Sequence, residues 1–260
     1  PLGAIDTQDI AKWIEQRRKD GASPASANRD LSLVSALFRW ARKLNHAESN
    51  PVRGLDRFSE RGNGREVFLT ADESRALVEA AHETLRPFLM TAIGTGMRRG
   101  EALSLTWSDI DFKERTIQMR SSTTKTGLGR VIPMGVWVES ALRDLKRRAT
   151  GEEVFTKANG KPLKADCVRY WFRKAIETCA ESDPSPIAAS KLAQLRLHDL
   201  RHTAASLMVA DGVPLFDVGK ILGHVTPTMT ARYAHFQPRA ARAAMDALDG
   251  ALMQRQTGAG

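Results

Sequence analysis

The sequence predicts a mainly α-helical chain with a small antiparallel β-sheet, an α+β arrangement in two domains. Apolar residues recur at helical spacing over most of its length. Between Leu105 and Pro133 the pattern changes to turn-rich and strand-like segments, and Ser59 to Glu66 is a charged, glycine-containing stretch with no apolar period. The domains are accordingly set at residues 1–58 and 68–260, joined by a linker at 59–67.

Thr7 opens a first helix to about Asp20, with Asp9 in its first turn, and the Ala22-Ser23-Pro24 turn follows. A longer helix from about Ala25 to Leu44 places Val34, Leu37, Phe38, Ala41 and Leu44 on one face and Arg39, Arg42 and Lys43 on the other. Asn50-Pro51 ends this unit, because a residue before proline avoids the helical region. After the linker, Thr70-Ala71-Asp72-Glu73 forms a capping box over a stripe of Leu77, Val78 and Ala81. The next helix, about Leu85 to Gly94, leads into Thr95-Gly96-Met97-Arg98-Arg99-Gly100-Glu101, where Arg98 starts a further helix beside outward-pointing N–H groups.

Strands are expected at Thr116 to Met119, Ser121 to Lys125 and Arg130 to Pro133, the last two joined by Thr126-Gly127-Leu128-Gly129, with Lys125 at the turn. Val138 to Arg148 reads as an amphipathic helix, Val154-Phe155 as extended, and Ala165 to Ala180 as a helix burying Val168, Trp171, Phe172, Ala175, Ile176 and Cys179. Arg169 and Arg173 lie on its polar side, and 181–190 reads as a loop. The helix starting at His198 carries Leu200, Ala204, Leu207 and Met208 inward and ends at Gly212. Pro214 opens a short helix closed by Gly223, and Thr226-Pro227 begins a short, poorly anchored helix bearing Tyr233, which is expected to move. Ala241, Met245, Leu248 and Leu252 form one stripe of a final helix.

A net charge of +9 and a pI near 9.9, spread along the 260 residues, point to a polyanion partner, although a ribosomal or membrane-surface protein shares that balance. Cys167 and Cys179 sit twelve residues apart on one predicted helix, too far to bridge. A reducing cytosol fits this usage. No apolar run reaches a membrane span and no signal peptide is visible. Pro1-Leu2-Gly3 reads as a protease-cleavage scar, so a preceding part of the natural protein is expected.

His198-Asp199-Leu200-Arg201-His202-Thr203, Leu222-Gly223-His224 and Thr230-Ala231-Arg232-Tyr233 bring imidazoles, a guanidinium and a phenol to helix ends within about ten turns. A guanidinium clamps phosphate oxygens through paired hydrogen bonds, imidazoles donate or move protons near neutrality, and cations favour the ionised phenol as a nucleophile. Taken singly, each residue also fits an exposed turn, a helix cap or a half-buried aromatic. Together they suit phosphodiester chemistry.

This segment resembles the C-terminal signature of the tyrosine recombinases, the phage-integrase family, in Leu222-Gly223-His224 followed nine residues later by Tyr233. The resemblance extends to an arginine after Thr95-Gly96 and a hairpin lysine, and covers nearly the whole chain. It implies a small helical core-binding domain at 1–58, lacking its first helix, and a catalytic domain at 68–260. Tyr233 is then the nucleophile, with Arg98, Arg201, His198 and His224 on the phosphate and Lys125 protonating the leaving 5′ oxygen; Glu101 and His202 support them. Arg39, Arg42, Lys43, Arg99, Arg130, Arg169 and Arg173 are the expected DNA-contact residues.

The implied activity is site-specific recombination for a phage or mobile element, in the bacterial cytosol or nucleoid, without cofactor, ATP or metal. The implied partners are duplex DNA carrying recombination sites and a homo-tetramer linked through the terminal helix 238–256. An excision or DNA-bending accessory protein and an arm-binding domain before residue 1 accompany this reading. Three rivals stand beside it. A zinc hydrolase would use His198 and His202 at i, i+4, but the intervening glutamate is absent and Arg201 would repel the cation. A type IB topoisomerase would share the chemistry without strand exchange, and an accessory DNA binder would lack it.

Overall fold

The computed structural model describes residues 2–60, 67–124 and 127–236, together with 245, 248 and 249. The chain divides into two compact units, Pro1–Arg65 and Glu66–Gly260. Most of the expected linker, residues 61–66, lies outside the described residues.

In the first unit, α1 (Thr7–Lys19) is opened by Asp6 rather than Thr7, through a capping box with Asp9. The Thr7 hydroxyl donates to the Pro51 carbonyl at 3.0 Å and ties the helix start to the end of the unit. Ser23 caps α2 (Pro24–Lys43), with Pro24 at its first position, where a missing N–H costs nothing. Ile10 and Ile14 of α1 close on Ala27 and Leu31 of α2 and on Val52. The inward stripe of α2 therefore runs through Ala27, Leu31, Phe38 and Ala41. Leu37 and Leu44, expected on that face, are 45% and 48% exposed. Leu37 stands about 100° around the helix from Phe38, and Leu44 is the C-cap.

The second unit begins with α3 (Ala71–Ala80), where Thr70 and Glu73 form the expected capping box. Next come α4 (Arg86–Thr95) and α5 (Arg99–Leu103). Strands β1 (Ile110–Asp111), β2 (Thr116–Met119) and β3 (Arg130–Pro133) form one antiparallel sheet in that order. Ile117 pairs with Ile132, and the burial of Ile117, Met119 and Ile132 fixes the register, since a one-residue slip would expose all three.

Over the described residues 121–124, the strand expected at Ser121 to Lys125 is not formed. Ser121–Thr123 is a 3-10 turn, and the hairpin joins β2 directly to β3. Ser-Ser-Thr-Thr has no apolar residue to bury, so the ladder passes it by. Lys125 lies outside the described residues.

Helices α6 (Val136–Arg147) and α7 (Ala165–Glu181) follow, with Val154-Phe155 buried between isolated bridges and both cysteines free on α7. A short α8 (Ala189–Leu192) occupies the end of the expected loop. The chain then forms α9 (Asp199–Ala210), α10 (Leu215–Leu222) and α11 (Pro227–Ala231).

The main core joins α3, α4, the sheet, α6 and α7, and α4 packs on both α6 and α9. A smaller cluster contains Ala205, Val209, Val218, Leu222 and Tyr233. Of the expected α9 stripe, Leu207 and Met208 are only partly buried, while Ala205 and Val209 face inward. The terminal helix 238–256 falls mostly outside the described residues; Met245 and Leu248 are helical and 56% and 49% exposed. Among the described residues, no helix is long and apolar enough to cross a membrane.

Candidate active site

Arg98 caps α5, two residues after the left-handed Gly96 (φ 64°) that ends α4. A side chain at Gly96 would run into Leu222, so glycine serves both the turn and the approach of α10. The Arg98 guanidinium donates to Glu101 Oε1 at 2.8 Å, and its backbone N–H donates to Oε2 at 3.0 Å. Arg130 reaches the same carboxylate at 2.7 Å and also donates to the Ile221 carbonyl at 2.9 Å. Burial alone would raise the Glu101 pKa, but hydrogen bonds and charge from Arg130 and Arg98 outweigh it and hold the carboxyl below its ordinary value.

Arg201 sits in the first turn of α9 and is 5% exposed. One terminal nitrogen donates to the Gly96 carbonyl at 2.8 Å and the other to the Leu222 carbonyl at 2.7 Å. It thus joins the segment carrying Arg98 to the one carrying His224. Burial, with the charge of Arg98, lowers its pKa to about 10, which leaves it cationic at neutral pH. The guanidinium has five N–H donors, so it retains capacity for an anion.

Three imidazoles complete this surface. His198 caps α9 and stacks edge-on against His202, with ring centroids 5.2 Å apart. His202 Nδ1 lies 2.6 Å from the Tyr233 hydroxyl, and His224 Nδ1 lies 2.7 Å from Thr230 Oγ1. Burial lowers the pKa of all three, aided chiefly by Arg201 at His198 and His224 and by His198 at His202; His202 and His224 fall to about 4. They are neutral at pH 7.

Tyr233 lies in the turn beyond α11, not on the helix, and is 5% exposed. Its ring is part of the apolar cluster, whereas α11 itself buries only Thr230 and is as short of apolar anchors as its sequence suggests. Burial raises the phenol pKa, against the opposing charges of Arg232 and Arg201. At rest the proton therefore stays on the oxygen.

The structure brings Arg98, Glu101, Arg201, His198, His202, His224 and Tyr233 together. Arg130, expected to contact DNA, has a side chain only 9% exposed and holds Glu101 instead. The β2–β3 register aims it there, and no local pattern around Arg130 reveals that. Arg99 is exposed; Arg169 and Arg173 are exposed and paired with Asp166 and Glu177. On α2 of the first unit, Arg39, Arg42 and Lys43 are exposed. Arg130 and Thr230 are the site residues whose structural roles sequence reading missed.

Residues 67–239 match the phage integrase family, and residues 1–45 match the phage integrase N-terminal SAM-like domain. The tyrosine recombinase XerC of Pediococcus pentosaceus is 26% identical, over 89% of this chain and 78% of that protein. The integrase of Escherichia phage P2 is 28% identical over 88% of this chain, which spans 60% of that protein. In structure, the Tn1549 transposon integrase in complex with a circular intermediate DNA superposes with a TM-score of 0.77 at 22% identity, over 95% of this chain and 87% of that one. A lambda integrase tetramer bound to a Holliday junction gives 0.68 at 25% identity, over 88% and 66%. With its catalytic unit matched almost end to end, the chain belongs to the phage integrase family of tyrosine recombinases.

Proposed function

We propose that this chain is a site-specific DNA recombinase of a phage or other mobile element, acting through a 3′-phosphotyrosyl intermediate and a four-way junction. The observation that carries the reading is the buried Tyr233 phenol within the field of Arg201, whose guanidinium bridges the Arg98 and His224 segments. Arg98 and Arg201 receive the scissile phosphate, and His198 and His224 donate to its non-bridging oxygens as charge builds on phosphorus. The Tyr233 hydroxyl passes its proton to His202 Nδ1, 2.6 Å away, and its oxygen bonds to phosphorus as the P–O5′ bond breaks. Lys125 delivers a proton to the leaving 5′ oxygen.

The covalent link conserves the energy of the broken bond, so a second strand's 5′ hydroxyl can reverse the step without ATP. Cationic side chains take the place of a metal ion. Residues 1–58 form the proposed core-binding domain and 68–260 the catalytic one, with the exposed cations of α2, Arg99, Arg169 and Arg173 on the DNA backbone.

Assembly is proposed through the terminal helix. A groove of about 500 Å³ between α3, α4, α6 and α9, lined by Ile93, Trp137, Ala204, Leu207 and Met208, is mainly apolar. It fits the exposed Met245 and Leu248 of a second copy.

The test incubates the chain with nicked candidate-site duplexes in chelator, alongside Tyr233→Phe. A denaturation-resistant protein–DNA adduct absent from the variant, and four-way junctions from paired sites, are expected. Tight binding to a verified site without any adduct would overturn the catalytic reading, while adduct without junctions would favour DNA relaxation.

A further inference from the structure

His224 is useful to a phosphate only if the ring nitrogen facing it carries a proton. A neutral imidazole has one N–H and one lone pair, and the wrong tautomer would turn the lone pair toward the anion. Something must select between the two forms. The Nδ1 side meets Thr230 Oγ1 at 2.7 Å, and Thr230 is 3% exposed.

Hydrogen-bond satisfaction decides the direction of that contact. The helical hydroxyls of Thr91 and Thr95 donate to the carbonyl four residues back, at 2.9 and 2.5 Å. Thr230 turns to the imidazole instead. If Nδ1–H donated to Oγ1, the buried Thr230 proton would be left without an acceptor among the described residues, and a buried unpaired donor is costly. If the hydroxyl donates to Nδ1, both groups are satisfied and Nε2 carries the ring proton.

The surroundings hold Thr230 to this task. A β-carbon at Gly219 would sit 2.9 Å from Thr230 Oγ1, so glycine there leaves the hydroxyl its place against α10. The His224 backbone N–H donates to the Gly219 carbonyl at 2.9 Å, and the Tyr233 N–H donates to the Thr230 carbonyl at 3.0 Å. Thr230 therefore touches the imidazole with its side chain and the nucleophile's turn with its backbone.

We propose that Thr230 is a positioning residue that fixes His224 as the Nε2–H tautomer, making this phosphate donor ready only while the Tyr233 segment is docked. The inference rests on the phosphate-binding reading of the site. Its first test needs no DNA.

The 260-residue chain labelled with ¹⁵N-histidine is studied at pH 7.5 by long-range ¹H–¹⁵N correlation, with His224→Gln assigning the signal among six histidines. Wild type and Thr230→Ser are expected to show His224 protonated on Nε2, and Thr230→Val to show a mixed or Nδ1-protonated ring. An Nδ1–H ring in the wild type, or an unchanged Nε2–H ring in Thr230→Val, would overturn the proposal.

On any duplex that the wild type cleaves, Thr230→Val should slow cleavage of the bound complex about tenfold, less than the ~10²–10³ for losing a donor outright. Duplex affinity should be unchanged and Thr230→Ser should restore the rate. In a His224→Ala background, Thr230→Val should cost nothing more; a further tenfold loss would mean a merely structural role. A missing adduct with the expected tautomer would instead count against the recombinase reading alone.

Discussion

Arg98 and Arg201 on one side of the site, and Tyr233 on the other, are held by different means. Arg98 is fixed by a buried carboxylate that also binds Arg130, and Arg201 by two backbone carbonyls from separate segments. Tyr233 is reached through a five-residue helix and, among the described residues, hydrogen-bonds through its hydroxyl to His202, with apolar packing around its ring. The two guanidinium groups thus come preorganised. The phenol proposed as the nucleophile is held by weaker, neutral contacts.

The largest effect is expected where the charged side is broken. Glu101→Ala leaves Arg98 and Arg130 without their shared carboxylate, 2% exposed, and should cost about 3–5 kcal/mol in urea denaturation. Adding Arg130→Met should recover part of that loss, because the stranded charge is removed. If Glu101→Ala unfolds at the parent's urea midpoint, the carboxylate is not what holds the arginines.

Breaking the other side should leave the fold nearly intact. Tyr233→Phe keeps the ring in its cluster and loses one hydrogen bond, a change within about 1.5 kcal/mol. Covalent chemistry should vanish all the same. Denaturation midpoint and adduct yield, measured on one preparation, separate the two effects.

Acid should act through the imidazoles rather than the arginines. His202 and His224 fall to about 4 in the folded chain, from 6.5. Well above pH 6.5 they are neutral in both states and contribute no pH dependence. As pH falls from about 6.5 toward 4, the unfolded chain binds protons that the folded chain refuses. Stability should then decline by up to about 1 kcal/mol per pH unit for each residue. In His202→Gln the slope over that window should shrink; an unchanged slope would assign the acid sensitivity elsewhere.

The smallest effect is expected in the first unit. Arg39→Ala in α2 should weaken duplex binding on all sequences alike and reduce the slope of log affinity against log salt by about 1. A sequence-selective loss would make Arg39 a base reader.

The same contrast explains what could be read from sequence. Arg98, Arg201, His198, His224 and Tyr233 stand at helix ends marked by glycine, proline or a fixed spacing, and helix ends are legible locally. The capping box at Thr70 and the burial of α7 were legible for the same reason. Arg130 was not, because its inward course depends on pairing between β2 and β3 across an apolar register. Nor was Thr230, whose role appears only when α10 and α11 are packed together. Ser121–Thr123 misled because polar residues beside a hairpin loop look like an exposed strand.

Mapping the covalent adduct by mass spectrometry tests the central claim most directly. The trapped complex is digested with nuclease and protease, and the residue carrying the nucleotide phosphate is located. The adduct is expected on Tyr233, in the presence of chelator. A nucleotide on Tyr170, the other tyrosine and half exposed on α7, or on any serine, would contradict the assignment of the buried phenol beside His202 as the nucleophile.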